Sequence, residues 1–234
     1  MKHTLLIKDW LSSFLSLLFP HCCVVCGRPL AKGEECICTV CNINLPRTNY
    51  HLRKDNPVER LFWGQIPLER ATSFFFYEKG SDFRLILHRL KYGGQKEIGA
   101  IMGRYMAAEL LSSNFFQGID VIIPIPLHKK KQQIRGYNQS EWIARGIAAV
   151  TGIPIDTESI LRKNNTETQT RKSVFERRDN VEGIFELQHP ETLAGKHILI
   201  VDDVLTTGST TLACASCLVN VEGIRISILT LATA

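Results

Sequence analysis

Two adjacent carboxylates, Asp202 and Asp203, stand between a branched apolar run, Ile198–Val201, and a turn of small hydroxyl residues and glycine. A continuously apolar run of this kind is expected of a central parallel strand covered on both faces. The carboxyl end of such a strand opens onto the ligand crevice of an open α/β sheet. The turn Leu205–Ser209 leads into a helix predicted to begin near Thr210. Helix N-termini carry unpaired N–H groups and partial positive charge, and so attract anions. Gly208 lets the backbone approach a ligand closely, while Thr206, Thr207, Ser209 and Thr210 add hydroxyl donors with little bulk. A phosphate monoester fits this cradle.

The carboxylates would repel that phosphate, but one bond further along they could accept hydrogen bonds from sugar hydroxyls or face a metal held by the ligand. A ribose 5-phosphate presents its phosphate and vicinal hydroxyls in the required order. Hydrogen bonds to charged groups contribute roughly 1.5–3 kcal/mol each, against an association cost of about 4–15 kcal/mol. Contacts to the ligand's other end are therefore needed.

A second constellation is built from cysteine. All but two of the eight cysteines fall between Cys22 and Cys41. They contain the spacing Cys23-x2-Cys26-x11-Cys38-x2-Cys41. Each CxxC aims two thiolates at one ion, and two such knuckles complete a tetrahedron with no open position, as in structural zinc sites. Clustered pairs of this kind point to metal ligands in a reducing cytosol, with redox cysteines as the competing reading. The interval between the pairs is shorter than in many zinc ribbons, and Cys22 and Cys36 offer alternative ligands. Cys214 and Cys217 lie one helical turn apart and read as packing residues.

The elements that must position these groups follow from periodicity. Residues 1–20 show Leu6, Trp10, Phe14 and Leu17/Leu18 at helical spacing, the pattern of an amphipathic helix that packs on a core or partner. Lys8 and Asp9 interrupt its apolar stretch and no small-residue cleavage site follows, which argues against a signal peptide. No stretch is long enough to span a bilayer, so the expectation is a cytoplasmic protein. Residues 21–45 form the cysteine module and 46–70 read as a connector. From 71 to 234, strands at 71–78, 120–126, 183–187, 196–203 and 223–232 alternate with helices at 81–92, 96–113, 138–152 and 209–221. That alternation indicates an α/β domain with a mostly parallel sheet. Ser81 is a plausible cap for the first of these helices. The polar stretch 164–180 lacks a period and reads as a loop. At 234 residues and 44% hydrophobic the chain can bury a real core. A net charge of +5 falls short of a protein whose main task is coating DNA. P-loop, zincin and nucleophile-elbow signatures are absent.

The stretch ILIVDDVLTTGST resembles the PRPP (5-phosphoribosyl 1-pyrophosphate) signature of type I phosphoribosyltransferases. LKYGG (Leu90–Gly94), PIPLHKKK (Pro124–Lys131), RGYNQS (Arg135–Ser140) and ERRDNVEGIF (Glu176–Phe185) resemble the ComF-type competence family, which includes GntX-like proteins. The likeness runs in order from the first CxxC to the C-terminus.

The resemblance implies a type I phosphoribosyltransferase fold preceded by an N-terminal helix and a small four-cysteine zinc module. It implies that Mg²⁺-PRPP binds, that an unidentified acceptor attacks the anomeric carbon, and that pyrophosphate leaves. Asp202 and Asp203 would be the catalytic carboxylates and Thr206, Thr207, Gly208, Ser209 and Thr210 the PRPP-binding residues. Leu127, His128, Lys129 and Arg135 would form the pyrophosphate loop. Lys91, Tyr137, Asn138, Gln139, Gln169, Arg171 and Arg177 are further site candidates, the last three in a hood over 163–180 that would exclude water. Plain alternatives exist for several: Asn138 as a helix cap, Lys91 as an exposed helix-end lysine, and the run His128–Lys131 as a solvated basic loop. The family's link to natural competence raises a second function, a non-catalytic PRPP sensor or a single-stranded-DNA-binding factor. The basic stretches Lys129–Arg135 and Arg171–Arg178 could serve a DNA backbone as readily as pyrophosphate.

Overall fold

A computed structural model of the chain describes residues 21–163 and 183–234. The amphipathic segment 1–20 and the hood candidates Gln169, Arg171 and Arg177 lie outside the described residues.

The main sheet has the order β1-β6-β5-β2 and is wholly parallel. Its strands are β1 (Leu68–Phe76), β2 (Val121–Pro124), β5 (His197–Leu205) and β6 (Arg225–Thr233). A parallel strand needs a crossover, and helices supply it. They are α3 (Arg84–Tyr92), α4 (Glu97–Leu110), α6 (Gln139–Thr151) and α7 (Ser209–Ser216). The alternation along β5 shows both faces buried. Leu199 and Val201 pack with α3, α4 and α6, while Ile198 and Ile200 pack with Ala213 and Cys214 of α7. The buried Cys214 is a packing residue, as the sequence suggests.

Helices α4 and α6 cross at near contact. A Cβ on Gly103 would overlap the carbonyl oxygen of Ile143, and one on Gly146 would overlap that of Ala100. The two glycines let α6 sit low enough to hold its first turn over the carboxyl end of β5.

Residues 39–70 add two short helices, α1 (Thr39–Ile43) and α2 (Pro57–Arg60). Asn56 caps α2 in a capping box with Glu59. Between residues 46 and 70, Val58 and Phe62 are fully buried in the core beneath β5 and α7. The region expected to connect thus also supports the sheet. Its polar composition conceals this because Asn56 spends its side chain on backbone, accepting from the amides of Val58 and Glu59 and donating to the carbonyl of Ala71.

A second, two-stranded antiparallel sheet joins β3 (Ile160–Arg162) to β4 (Phe185–Leu187), with Arg162 opposite Phe185. The strand β3 is not anticipated from sequence, since three residues carry no readable period. Ser81, the expected cap of α3, accepts the amide of Phe83 at 3.2 Å, and the helix itself begins at Arg84.

Candidate phosphate and sugar site at the end of β5

Register places the end of β5 between its neighbours: Val201 lies opposite Pro124 of β2 and Asp202 opposite Thr230 of β6. Successive strand residues point to opposite faces, and Asp202 and Asp203 accordingly find different partners. Asp202 Oδ1 accepts from Ser140 Oγ at 2.9 Å and from the Asp203 amide at 2.8 Å. Burial, and then the charge of Asp203, raise the Asp202 carboxyl to about 7. Ser140 reaches it because Asn138 caps α6, accepting the Ser140 amide at 3.2 Å. Asp203 Oδ1 pairs with Lys91 Nζ at 3.1 Å, from the last turn of α3.

Beyond the carboxylates, Leu205 is buried and anchors the turn, while Thr206 and Thr207 are exposed. Gly208 has φ +75° and caps α7, so the helix starts at Ser209. A Cβ there would also stand 3.4 Å from the ring of Phe62. Thr207 and Ser209 share a hydroxyl hydrogen bond of 2.8 Å, and Ser209 and Thr210 are exposed. The turn therefore presents hydroxyls and a helix N-terminus beside two carboxylates, the arrangement a sugar phosphate needs.

The opposite wall differs from the expected basic loop. Leu127 and His128 do form a loop after β2, but Lys129–Arg135 are a helix, α5. His128 Nδ1 caps it, accepting the Lys130 amide at 3.2 Å, and Gly136 at φ +78° ends it. A cap, a run of good helix formers and a terminal glycine outweigh the like charges. Arg135 is consequently carried a helix length, about 10 Å, from the loop. It donates to Gln139 Oε1 at 2.8 Å and lies over the ring of Tyr92 at 5.3 Å. Tyr137, Asn138 and Gln139 are buried. Tyr137 donates to the carbonyl of Leu90 at 2.6 Å, and Asn138 Nδ2 to that of Ile125 at 3.0 Å. Both tie the start of α6 to its surroundings, one to α3 and the other to the chain just after β2. Gln139 Nε2 has no partner among the described residues.

The structure adds Arg162, which no sequence motif marks. It lies over the ring of Phe185 at 5.3 Å, and burial lowers its pKa while the nearby Asp202 opposes that shift. With Leu127, Lys129, Gln132, Asn138 and Lys163 it lines a cavity of about 640 Å³ whose wall also carries Glu141 and Glu186. The available signal was an arginine following a short apolar pair just before a long polar segment.

The cysteine module closes on one point. The sulfurs of Cys23, Cys26, Cys38 and Cys41 all lie within 4.8 Å of one another, Cys26 and Cys38 at 3.7 Å. Tetrahedral thiolates around an ion at about 2.3 Å stand roughly 3.8 Å apart, so the four could hold a metal such as zinc. Burial raises the Cys23 thiol, but amides of Cys26, Cys38 and Val25 outweigh it and bring the value down to about 7. Cys36 belongs elsewhere: its thiol donates to Met102 Sδ at 3.9 Å, and burial pushes it up to about 12. Cys22 is exposed and outside the cluster. The module shares its core with α4, and Arg47 bonds to Asn42, Glu109 and the face of Phe74. No helix among the described residues is long and apolar enough to cross a membrane.

Known proteins resemble the chain along most of its length. A family profile described as phosphoribosyl transferase domain matches residues 138–234. The DNA utilization protein YhgH of Escherichia coli O157:H7 is 32% identical over 209 residues, covering 83% of this chain and 88% of that protein. Competence protein ComFC of Bacillus subtilis is 27% identical across 88% of this chain and 75% of its own length. Competence protein F of Haemophilus influenzae is 30% identical over 54% of this chain and 57% of its length.

Proposed function

Since the chain belongs to the ComF-type competence and DNA utilization family of phosphoribosyltransferase-fold proteins, we propose that it binds Mg²⁺-PRPP and transfers the phosphoribosyl group to an acceptor, releasing pyrophosphate. The observation that supports this most is the placement of Asp202 and Asp203 at the carboxyl end of a central parallel strand, directly before the Gly208 turn. In this reading the turn Thr206–Thr210 takes the 5-phosphate and the two carboxylates take the ribose hydroxyls. Mg²⁺ prefers oxygen donors and arrives with the phosphates, and it would neutralise their charge beside Asp202 and Asp203. Leu127, His128 and Lys129 receive the pyrophosphate, with Arg162 and Lys163 across the cavity. The acceptor attacks the anomeric carbon, the bond to pyrophosphate breaks, and the carboxylates steady the positive charge that develops on the sugar. Ser140 and Lys91 hold those carboxylates in place. Zinc held by the four cysteines is structural, since a closed set of thiolates leaves no position for substrate. We place the protein in the cytoplasm, acting in DNA uptake.

Calorimetry should show PRPP binding in the presence of Mg²⁺, tighter than either ribose 5-phosphate or pyrophosphate, because one site grips both ends. Asp203→Asn should weaken it without unfolding β5. Gly208→Val should weaken it more, since a branched side chain would occupy a left-handed backbone against Phe62. Equal affinity for plain pyrophosphate, or full PRPP affinity in Asp203→Asn, would sink the assignment. The relatives' names speak of DNA utilization and competence rather than of transfer. That favours a second reading, a non-catalytic PRPP sensor or strand-binding factor. Pyrophosphate release across a panel of bases separates the two.

A further inference from the structure

Where the cysteine module meets α4 lies a groove of about 400 Å³, lined by none of the residues assigned to the sugar phosphate. Its apolar walls come from two bodies. Val24 and Leu30 belong to the module, and Ile98 and Ile101 stand one turn apart on the same face of α4. Val24 and Ile98 are buried, while Leu30 and Ile101 remain half-exposed. The space holds on the order of a dozen waters, over side chains that gain by losing them.

The chain itself points to what covers this groove. His21 lines it, so the twenty residues before His21 join the described structure at its rim. That junction is fixed: the Leu30 amide donates to the His21 carbonyl at 2.8 Å, and Cys22 bridges to Pro29. In the sequence Trp10, Phe14 and Leu17 recur at helical spacing, and Pro20 follows. A residue before proline is disfavoured in the helical region, so a helical run would stop by Phe19 and the chain would change direction at the groove. At 1.5 Å per residue, Phe14 and Leu17 come within about 11 Å of His21. A tether this short gives an effective concentration in the millimolar range, so even modest apolar contact suffices.

We propose that the apolar face of residues 1–20 covers this groove, with Phe14 and Leu17 over Ile98 and Ile101, and so clasps the cysteine module to α4. The docking needs nothing from the PRPP reading.

The test uses the full-length chain, read by amide hydrogen exchange over residues 97–103 and by melting. Exposing one large apolar side chain predicts that Phe14→Asp speeds exchange there by about tenfold or more. It should also lower Tm by about 3–10 °C. Phe14→Leu keeps an apolar side chain and should retain most of the protection. Phe14→Ala and Ile101→Ala are milder, and their double variant should lose less than the sum of the two single losses, because the residues touch. Ile43→Ser, on a 74% exposed position of the module, should add independently to Phe14→Ala. Exchange over 97–103 that ignores Phe14→Asp, or strict additivity of Phe14→Ala with Ile101→Ala, overturns the proposal. So does coupling of Phe14 to Ile43, which would put the segment on another face. Protection that disappears on dilution would assign the groove to a second copy and overturn it too. Phosphatidylglycerol vesicles that bind the chain through Phe14 without changing exchange over 97–103 would do the same in favour of a lipid surface.

Discussion

Asp202→Asn should make the protein more stable, by an amount that grows as pH rises from about 4 to about 7. The buried carboxyl has its pKa raised from 3.8 to about 7, by burial first and by Asp203 second. Between those values the native protein holds a proton that the unfolded chain has already lost. Stability from this group is present below the unfolded value and disappears as pH rises through the folded one. The interval corresponds to ~4 kcal/mol at pH 8. Because the charge of Asp203 supplies part of the shift, the recoverable part is about 2–4 kcal/mol. Asparagine is isosteric, carries no charge, and keeps an oxygen for Ser140 and for the amide of residue 203. Urea unfolding of wild type and Asp202→Asn at pH 5 and pH 8 measures the effect. The expected result is a midpoint gain of about 1 M at pH 8 that falls to less than half of that at pH 5. Zinc affinity also changes with pH, but both proteins share it and the difference cancels. Equal midpoints at pH 8, or the same gain at both pH values, would refute the claim that this carboxylate is held ionised at a cost. PRPP affinity should fall in the same variant, the usual opposition of site chemistry and stability.

Other expectations follow from different contacts. Metal analysis should find one zinc per chain, lost on acidification because the thiolates must be deprotonated. Its removal, or Cys38→Ser, should lower the melting temperature of the whole protein, since Ile37 and Cys36 lie in the same core as Met102 and Ile143; a melting curve indifferent to chelator would contradict this. Gly146→Ala gains about 1 kcal/mol of helix propensity but drives a methyl into the carbonyl of Ala100. A net loss of about 2 kcal/mol is expected, read as a drop of roughly 4–8 °C in Tm, and an unchanged Tm would mean the helices can part freely. His197 is buried, with Nε2 bonded to Ser227 at 2.8 Å, and burial lowers its pKa below 6.5. Its contribution is present above pH 6.5 and lost as pH falls through the lowered value. His197→Gln should flatten that acid limb, and an unchanged limb would show that His197 is free to charge.

What the sequence determined was whatever depends on local pattern. The run Ile198–Val201 reads as a doubly covered strand because its pattern is unbroken, and the cysteine spacing picks out the four sulfurs that converge because a knuckle is a local shape. The Gly208 turn is likewise visible, since glycine in a left-handed cap is a backbone requirement. The tertiary structure decided which partners those groups meet. Asp202 finds Ser140 and Asp203 finds Lys91 only because α6 and α3 pack over the end of β5. That approach depends on Gly103 and Gly146, whose role is invisible without the opposing helix. Cys36 resembles a ligand in sequence, but packing turns it toward Met102. The basic run after His128 could have stayed extended; a side-chain cap and a terminal glycine wound it into α5 and carried Arg135 to Tyr92. Arg162 escaped notice because three residues of strand have no period, and only pairing with β4 brings its guanidinium toward Asp202. Pattern specifies an element through its own neighbours along the chain. A site is assembled by residues far apart in sequence, and burial and close packing alone bring them together.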